Sequence, residues 1–397
     1  MKIEVKNGRL IDPAQGIDRV TSLFIAAGKV AAIGAAPPGW HTHRAIDARG
    51  LVVCPGLIDC SARLREPGFE YKATLESEVE AAVAGGVTSL ACPPDTDPPL
   101  DEPGLVEMLK HRARLLNRAR VYPVGALTVE LGGTTLTEMG ELAEAGCVAF
   151  SHADVPLVDT QLLFRAMQYA ATFGHRVWLR PQDPHLAKGG VAHDGEVATR
   201  LGLAAIPASA ETIALATIFA LIRETHVSVH LCRLSTADGV AMVRAAKQEG
   251  LPITCDVAIH HLHLCDIDIG WFDGQAHVMP PLRSTRDRAA LRAGLADGTI
   301  DIICSDHTPV DDDAKQLPFA EAESGVTGLE LLLPLTLKWA AEERIGLPAA
   351  HWIVDRASLK SQGKNTPFLG VEVPGRVKHT LIDGVPVGGC ASSPANP

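Results

Sequence analysis

Hydrophobic and polar positions follow two different patterns in two regions of the chain. Residues 1–51 contain short segments in which polar and apolar positions alternate, and this period of two is typical of half-buried β-strands. The alternating segments are 2–5, 22–25 and 30–33. Asn7-Gly8 favours a two-residue hairpin turn between strands. We therefore expect a small β-domain at the start of the chain.

From about residue 52 to 350 the pattern changes to short apolar strands that alternate with amphipathic helices. This alternation indicates a parallel α/β architecture, and eight strands make a (β/α)₈ barrel the natural closure. The predicted strands are 51–58, 89–92, 121–124, 148–151, 176–179, 227–231, 253–257 and 300–304. The predicted helices are 72–85, 103–117, 136–145, 160–173, 211–224, 236–249 and 285–296.

Composition narrows the class of protein. A chain of 397 residues with 46% hydrophobic and 21% charged residues is long enough for one large barrel and a small second domain. The net charge of −11, with scattered basic residues, argues against nucleic acid or an anionic membrane as a partner. No apolar run is long enough to span a membrane, and no signal-peptide core is evident. We expect an unprocessed cytoplasmic protein.

The cysteines support the same compartment. Nine cysteines lie far apart without a C-x-x-C pair, which argues against a disulfide framework. Four of them lie in strand-like settings that favour small buried residues, namely Cys54, Cys232, Cys255 and Cys304. A reducing environment fits this usage best.

Residues 52–68 join an apolar run to a polar segment ending in Pro67-Gly68, which predicts a buried strand delivering side chains to a site. The segment resembles the first barrel strand of the dihydroorotase family, where Pro-Gly-Leu-x-Asp precedes His-x-His-Leu-Arg-Glu-Pro-Gly. In this chain Ser61 and Arg63 occupy the two histidine positions. Further stretches that match the family in order are 84–88, 280–283, 297–301, 305–309, 328–330 and 363–370. The chain is identified as a dihydroorotase-like member of the amidohydrolase superfamily.

The resemblance implies a domain organisation. Residues 52–361 would form the amidohydrolase-type barrel, and residues 1–51 and 362–397 a composite β-domain built from both chain ends. A piece matching the family's C-terminal strands stands at 375–387. The segment between Leu347 and Trp352 is shorter than in the family, which suggests a reduced end of the barrel.

The resemblance also implies a set of zinc ligands, most of which this chain lacks. The family takes two histidines from the first strand, an acidic or modified lysine ligand after the fourth, a histidine from each of the fifth and sixth, and an aspartate after the eighth. The corresponding residues here are Ser61, Arg63, His152, Arg180, Arg233 and Asp306. Asp306 is the one retained catalytic candidate.

Three arginines at ligand positions oppose a metal. Arginine does not deprotonate to ligate, and a guanidinium ~4 Å from a divalent ion is repelled by ~8 kcal/mol at an effective dielectric of ~20. We therefore expect no metal cofactor, although the family carries zinc. The arginines should point into the volume that the metals fill in the family, paired with Asp306. Remaining negative charge is expected from Asp183, Asp154, Glu66 or a bound anion.

The substrate pocket departs from the family as well. Arg65 matches the residue that grips the substrate carboxylate, but Asp95 and Asp97 replace asparagines and Met279 replaces the asparagine before Pro280. Two acids and a thioether weaken the binding of an anionic pyrimidine precursor. A salt bridge between Arg65 and one of those acids is the alternative reading.

The remaining histidines carry less functional weight. For the cluster of His260, His261 and His263, and for His307, structural roles are expected.

Three functional hypotheses remain open. The resemblance implies a non-catalytic dihydroorotase homologue in pyrimidine biosynthesis, acting as a scaffold for the aspartate carbamoyltransferase catalytic subunit and forming a homodimer within a larger complex. The alternative is an active cyclic-amide hydrolase with a displaced or single metal, using Asp306 with His152, His230 or Cys60. A third is a binding protein for a small anion in the arginine-lined pocket.

Overall fold

The computed structural model describes residues 1–344 and 350–388. The strands are β1 Lys2–Asp12, β2 Ile17–Ala26, β3 Lys29–Ile33, β4 Arg44–Asp47, β5 Val52–Val53, β6 Leu57–Asp59, β7 Val87–Cys92, β8 Arg120–Pro123, β9 Gly125–Ala126, β10 Phe150–Ser151, β11 Val177–Leu179, β12 Ala192–His193, β13 Ala205–Ile206, β14 Val229–Leu231, β15 Ile253–Ala258, β16 Ile302–Cys304, β17 His351–Ile353, β18 Glu372–Pro374, β19 Thr380–Ile382 and β20 Val385–Gly388. The helices are α1 Leu75–Ala84, α2 Pro103–Leu116, α3 Met139–Ala145, α4 Thr160–Phe173, α5 Glu196–Leu201, α6 Ser209–Thr225, α7 Ala237–Glu249, α8 Thr285–Ala296, α9 Asp312–Gln316 and α10 Leu332–Glu342.

The first strands form a small mixed sheet. β1 pairs antiparallel with β2 and parallel with β4 and β5, and β2 pairs with β3. The hairpin turn predicted at Asn7-Gly8 is wrong, because β1 continues through these residues and bulges there, with Asn7 at φ 61°. The hairpin instead turns after Asp12, whose side chain caps a short 3₁₀ turn that ends at Gly16.

The predicted strand 51–58 divides between two sheets. Val52 and Val53 form β5 and pair with β1 in the small sheet, whereas the barrel strand β6 begins at Leu57. Cys54 between them is exposed, so its predicted burial is wrong. Gly56 lies against Thr88, and a Cβ at this glycine would approach the threonine side chain to 2.2 Å. The two-sheet junction therefore requires glycine at this point.

Eight parallel strands close into the predicted (β/α)₈ barrel, which is confirmed. β6, β7 and β8 form one ladder, and β9, β10, β11, β14, β15 and β16 form the other. β8 and β9 are two parts of one barrel strand, separated only by Val124, so these nine segments make eight strands. The ladders join where the Val124 N–H donates to the Cys92 carbonyl (2.9 Å). They close where the Arg63 N–H donates to the His307 carbonyl (2.8 Å) and the His307 N–H donates to the Ser61 carbonyl (3.1 Å). Strand ends that are far apart in sequence thus meet at one face.

The helices follow from capping and apolar periodicity. α4 begins at Asp159, whose carboxylate accepts hydrogen bonds from the first-turn N–H groups, and its buried positions recur at helical spacing. These buried residues are Leu163, Ala166, Met167 and Ala170. All seven predicted helices are present, and α5, α9 and α10 are additional. None of the helices in residues 1–344 and 350–388 is long and apolar enough to cross a bilayer.

His307 fastens the barrel closure to the first helix. Its Nε2 lies 2.6 Å from the Glu78 carboxylate, and both side chains are fully buried. Its Nδ1 accepts a hydrogen bond from the Gly328 N–H (3.1 Å), so Nε2 carries the proton that is donated to Glu78. This geometry gives His307 a structural role.

The C-terminal strands form hairpins of their own. β17 pairs with β18 and β19 with β20, and within the described residues no ladder joins the β19–β20 hairpin to the small sheet. The hairpin packs between the two sheets, because Leu381 contacts the small-sheet core while Ile382 lies in the barrel core. The division into 1–51 with 362–397 and 52–361 stays a prediction. Residues 389–397, and residues 347–349 of the short 347–352 segment, lie outside the described residues.

Candidate functional site

Three arginines converge at the carboxyl ends of the barrel strands. Arg63 follows β6, Arg180 follows β11 and Arg233 follows β14. Only 6%, 7% and 5% of their side-chain surfaces are exposed. The sequence resemblance assigns each of them to a histidine-ligand position of the family. Buried guanidiniums require partners, because an isolated buried charge costs several kcal/mol, roughly.

Asp154 is the common partner of all three arginines. Arg63 Nη2 donates to its Oδ2 at 2.7 Å, and Arg180 Nε forms an ion pair with Oδ1 at 2.6 Å. Arg233 contacts both oxygens, with Nη1 3.3 Å from Oδ2 and Nη2 in a shorter hydrogen bond with Oδ1. The loop after β10 therefore places one carboxylate at the centre of three guanidiniums.

Two further aspartates complete the set. Arg63 Nε donates to Asp95 at 2.7 Å, while Arg233 Nη1 donates to Asp306 at 2.9 Å. Asp306 also lies 3.5 Å from Arg63 Nη1. We call these six residues the arginine–aspartate cluster: Arg63, Arg180, Arg233, Asp95, Asp154 and Asp306. Its formal charges cancel, which weakens the hypothesis of a site for a free anion.

The cluster shifts the acidity of its carboxyl groups. Burial by itself raises the pKa of Asp154, but Arg233, Arg63 and Arg180 outweigh it and hold that pKa well below its usual range. Solvent still reaches 32% of the Asp154 side chain. For Asp306, burial dominates and raises the pKa, although Arg233 and Arg63 oppose it. As the pH falls, Asp306 therefore takes up a proton at a higher pH than Asp154 does.

The backbone at these strand ends is strained. Arg65, Ala153, Arg233 and Asp306 adopt φ values of 61°, 50°, 59° and 48°, in the left-handed region. Each such non-glycine residue costs roughly 1–3 kcal/mol, and such residues concentrate at functional sites. The turn geometry of an active-site frame is thus present even though most of the expected ligands are absent.

Of the three acids proposed to complete the pairing, one turns inward. Asp154 does so, but Asp183 caps the N–H groups of His185 and Leu186, and Glu66 accepts from the Leu75 N–H at the start of α1. Asp154 therefore meets the expectation that one of these acids completes the pairing. Asp183 stays outside the cluster because neighbouring backbone donors satisfy it, and Glu66 because it is also paired with Arg112.

Arg65 is separate from the cluster. Its Nε donates to the Pro309 carbonyl (2.9 Å) and its Nη2 lies 3.5 Å from Glu323, which also binds Lys72 at 2.6 Å. The suggested salt bridge of Arg65 to Asp95 or Asp97 is therefore wrong. Asp97 is exposed.

Met279 contributes through its backbone. Its carbonyl accepts from Arg233 Nη1 at 3.3 Å, while its side chain packs against a small apolar cluster. The thioether is therefore not the part of this residue that faces Arg233.

The histidine nearest to a family ligand position is already saturated. His152 Nδ1 lies 2.8 Å from the Val155 carbonyl, and its Nε2 lies 2.8 Å from Thr128 Oγ1. Asp306 is bound by arginine, and Ser61 Oγ donates to it at 3.4 Å. A dinuclear zinc centre needs several imidazole and carboxylate donors with free lone pairs. The residues at these positions do not fit that group.

A second group of metal-type donors lies in the barrel interior. One ligand atom from each of His230, Cys232 and Asp256 falls within a 4.8 Å span. His230 Nδ1 is bonded to Thr254 Oγ1 (2.8 Å) and its Nε2 to Asp256 (2.9 Å), while Asp256 also accepts from the Arg233 N–H (2.6 Å). Both His230 nitrogens and the Asp256 carboxylate are therefore already engaged in hydrogen bonds.

The thiols in this region are held neutral. Burial raises the pKa of Cys232 well above its usual value, and it raises the pKa of Cys60 to about 12, with Asp256 and Asp59 adding to the effect. A thiolate is the nucleophile and the metal ligand. Neither cysteine is thus suited to act as one at neutral pH.

Two surface cavities lie away from the cluster. One, of about 560 Å³, lies beside α2 and is lined by Lys110, His111 and Arg114 among others. The other, of about 630 Å³, lies between α8 and α10. No cluster residue lines either cavity.

Comparison with known proteins gives a consistent relationship. The family model described as dihydro-orotase-like matches residues 50–239. A dihydroorotase-like protein of Pseudomonas aeruginosa is 43% identical over 97% of this chain and 99% of its own length. A protein named dihydroorotase from a Geobacter species is 39% identical over 97% of this chain and 98% of its own.

Solved structures match the same architecture. An L-hydantoinase from Arthrobacter aurescens superposes with a TM-score of 0.84 over 98% of this chain and 96% of its own, at 23% identity. A dihydropyrimidinase from Brevibacillus agri gives a TM-score of 0.79 at 18% identity, over 98% and 95% of the two chains. At these identities the likeness concerns the fold alone.

Sequence reasoning missed the role of Asp95, which it treats as unfavourable to a substrate or as a possible partner of Arg65, whereas the partner in the structure is Arg63. The signal was available as a pair of changes: an arginine at position 63 and an acid at position 95, each departing from the family. Charge compensation between two such positions indicates contact, and the structure places them 2.7 Å apart.

The first prediction concerns Asp306. Replacing it by alanine in Asp306→Ala leaves Arg233 short of one buried partner, and we expect the free energy of unfolding to fall by about 3 to 5 kcal/mol. Urea denaturation measures this change. Asp313→Ala, at an exposed position, is the matched control and should change stability by less than about 0.5 kcal/mol. An unchanged midpoint for Asp306→Ala would contradict its role as an ion-pair partner.

The second prediction concerns acid. Because the folded-state pKa of Asp154 lies below its unfolded value of about 3.9, its stabilising contribution is present above that pH and is lost as the pH falls. The stability gap between wild type and Asp154→Asn should narrow from about pH 6 to about pH 3, by at most about 1.4 kcal/mol per pH unit. Urea titrations at each pH measure the gap, with Asp313→Asn giving the background. A gap that widens in acid would show that Asp154 is not held ionised.

Proposed function

The chain belongs to the dihydroorotase-like family of amidohydrolases, and we propose that it is a non-catalytic member that acts in pyrimidine biosynthesis. In this proposal it is a cytoplasmic assembly subunit for aspartate carbamoyltransferase, present as a homodimer within a larger complex and without bound zinc. The observation that carries the proposal is the Asp154 carboxylate between three arginines at the family's ligand positions.

Amide hydrolysis in this superfamily depends on groups that polarise a carbonyl and activate a water. At the corresponding strand ends this chain has guanidiniums, which neither ligate nor accept a proton. The one retained carboxylate, Asp306, accepts a hydrogen bond from Arg233. The cluster is therefore suited to holding the strand ends together and poorly suited to proton transfer.

The scaffold role is supported by the structural features of the barrel that this chain has. The barrel closure, the buried His307–Glu78 pair and the left-handed turns are all present, so the surface of the fold can be maintained without the reaction. The choice of aspartate carbamoyltransferase as the partner rests on the resemblance of the degenerate ligand set to inactive dihydroorotase-like subunits.

The second candidate is a cyclic-amide hydrolase with a single displaced metal. The proximity of His230, Cys232 and Asp256 favours it, as does the name dihydroorotase borne by relatives near 39% identity. Against it, His230 and Asp256 are already engaged in hydrogen bonds, the Cys232 thiol is neutral, and the Arg233 charge opposes a cation nearby.

The third prediction separates the two candidates. Purified from its native source, the chain should elute with aspartate carbamoyltransferase, contain less than about 0.1 zinc ion per chain, and show no hydrolysis of dihydroorotate. Size-exclusion chromatography with mass analysis, metal analysis and a turnover assay measure these properties. Elution alone, beside a fully active carbamoyltransferase, would refute the scaffold role. Stoichiometric zinc with turnover would establish the hydrolase.

The fourth prediction concerns rescue. The double variant Ser61→His/Arg63→His should not gain zinc-dependent hydrolysis, because Arg180 and Arg233 still occupy ligand positions and His152 has no free nitrogen. The variant Ser61→Ala/Arg63→Ala is the matched control, since it removes the same contacts without adding ligands. Circular dichroism checks that both fold. Turnover above the control would mean that the ligand positions are wrongly assigned.

A further inference from the structure

The loop between β15 and α8 exposes an apolar group that the site does not use. Trp271 is 86% exposed, Ile267 58% and Phe272 37%. We call these three residues the Trp271 tip. Scattered apolar residues are ordinary on protein surfaces, but a nearly fully exposed tryptophan beside a second exposed aromatic side chain is not.

Hydrogen bonds within the loop fix the conformation of the tip. The Cys265 N–H donates to Asp268 (2.8 Å), and the Gly270 N–H donates to the Ile267 carbonyl (3.1 Å). The Asp273 N–H donates to the Ile269 carbonyl (3.0 Å). The Trp271 and Phe272 rings pack edge to face with centroids 5.5 Å apart. A side chain presented this way loses little conformational entropy when it binds.

The backbone of the tip is strained as well. Phe272 adopts φ 61°, in the left-handed region that a bulky side chain rarely occupies. Such conformations are found where they serve recognition or catalysis. A phenylalanine side chain offers no proton, lone pair or charge for catalysis, so recognition is the role that its chemistry allows.

The charged residues around the Trp271 tip indicate which kind of partner surface fits it. The residue pattern around the tip is acidic: Asp268 and Asp273 lie within the loop, and the loop packs on α9, whose first turn carries Asp312 and Asp313. Asp312 is paired with Arg356, so Asp268, Asp273 and Asp313 supply the acidic border. The nearby cation Lys315 is turned inward and donates to the Gly274 and His277 carbonyls (3.0 and 3.1 Å). An apolar tip with an acidic border fits an apolar pocket bordered by lysine or arginine.

We propose that the Trp271 tip is the anchor by which this chain docks onto its protein partner, through a basic-bordered apolar pocket on that partner. The inference rests on the proposed function, in which the partner is aspartate carbamoyltransferase. Tryptophan is enriched among the few residues that dominate binding energy at interfaces. A second copy of this chain is a poorer occupant, because a two-fold contact through the tip would bring like charges together.

Binding of the full chain to the purified catalytic subunit of aspartate carbamoyltransferase tests the proposal. Isothermal titration should show that Trp271→Ala weakens binding by about 30-fold or more. Leu115→Ala is the matched control, because Leu115 is 72% exposed near the end of α2 at the opposite end of the barrel, and it should leave the affinity unchanged. The denaturation midpoint of Trp271→Ala should equal that of the wild type.

A charge variant tests the acidic border. Asp313→Lys should weaken binding, and raising the salt from about 50 mM to about 300 mM should weaken the wild-type complex. Equal affinity of wild type and Trp271→Ala overturns the docking inference but leaves the scaffold role intact. No binding by the wild type refutes both. If Trp271→Ala instead abolishes self-association of this chain, the occupant is a second copy and the proposed partner is wrong.

Discussion

The carboxylate of Asp154 is the interaction on which the site depends. Three guanidiniums converge at the carboxyl ends of three strands, and their mutual repulsion in a largely buried space would open the barrel mouth. One carboxylate that reaches all three turns this repulsion into attraction. Asp95 and Asp306 then bring the formal charge to zero. Ion pairs hold the mouth of the barrel at the positions where the sequence resemblance implies metal ligands.

The cluster also explains why several changes must occur together. An arginine at position 63 without an acid at position 95 would leave a buried charge short of a partner, and an acid without the arginine would do the same. Each intermediate is destabilised by the unpaired group. Hydrogen bonds also engage both ring nitrogens of His152 and of His230, so neither imidazole is available to a metal. Returning such a site to metal binding requires changes at many positions.

The arginine–aspartate cluster occupies the barrel mouth and leaves part of the surrounding loops unengaged. The loop after β15 carries both Met279, whose carbonyl binds Arg233, and the exposed Trp271 tip. The ion pairs of the arginine–aspartate cluster and the hydrogen bonds within the loop after β15 together fix the surface at this face of the barrel. Rigidity of this kind favours protein recognition, which depends on preorganised anchor residues.

The sequence by itself determined the barrel and the positions at which this chain departs from the motifs of the resembled family. Periodicity identified the eight strands and seven of the helices, because burial of apolar side chains is read directly from their spacing. The position of Asp306 and the arginines at 63, 180 and 233 followed from motifs in order along the chain. Local pattern did not reveal that the apolar run at 51–58 serves two sheets, since Val53 and Leu57 look alike until their partners are known.

Only the tertiary structure decided which acids face the arginines. Asp154, Asp183 and Glu66 are equivalent as charges in the sequence. In the fold, nearby N–H donors hold Asp183, the Leu75 N–H and Arg112 hold Glu66, and the turn at Ala153 directs Asp154 inward. Pairing across the barrel joins residues up to a few hundred positions apart, and no local signal encodes that choice. It follows from which strand ends the closed barrel brings within a few ångströms of each other.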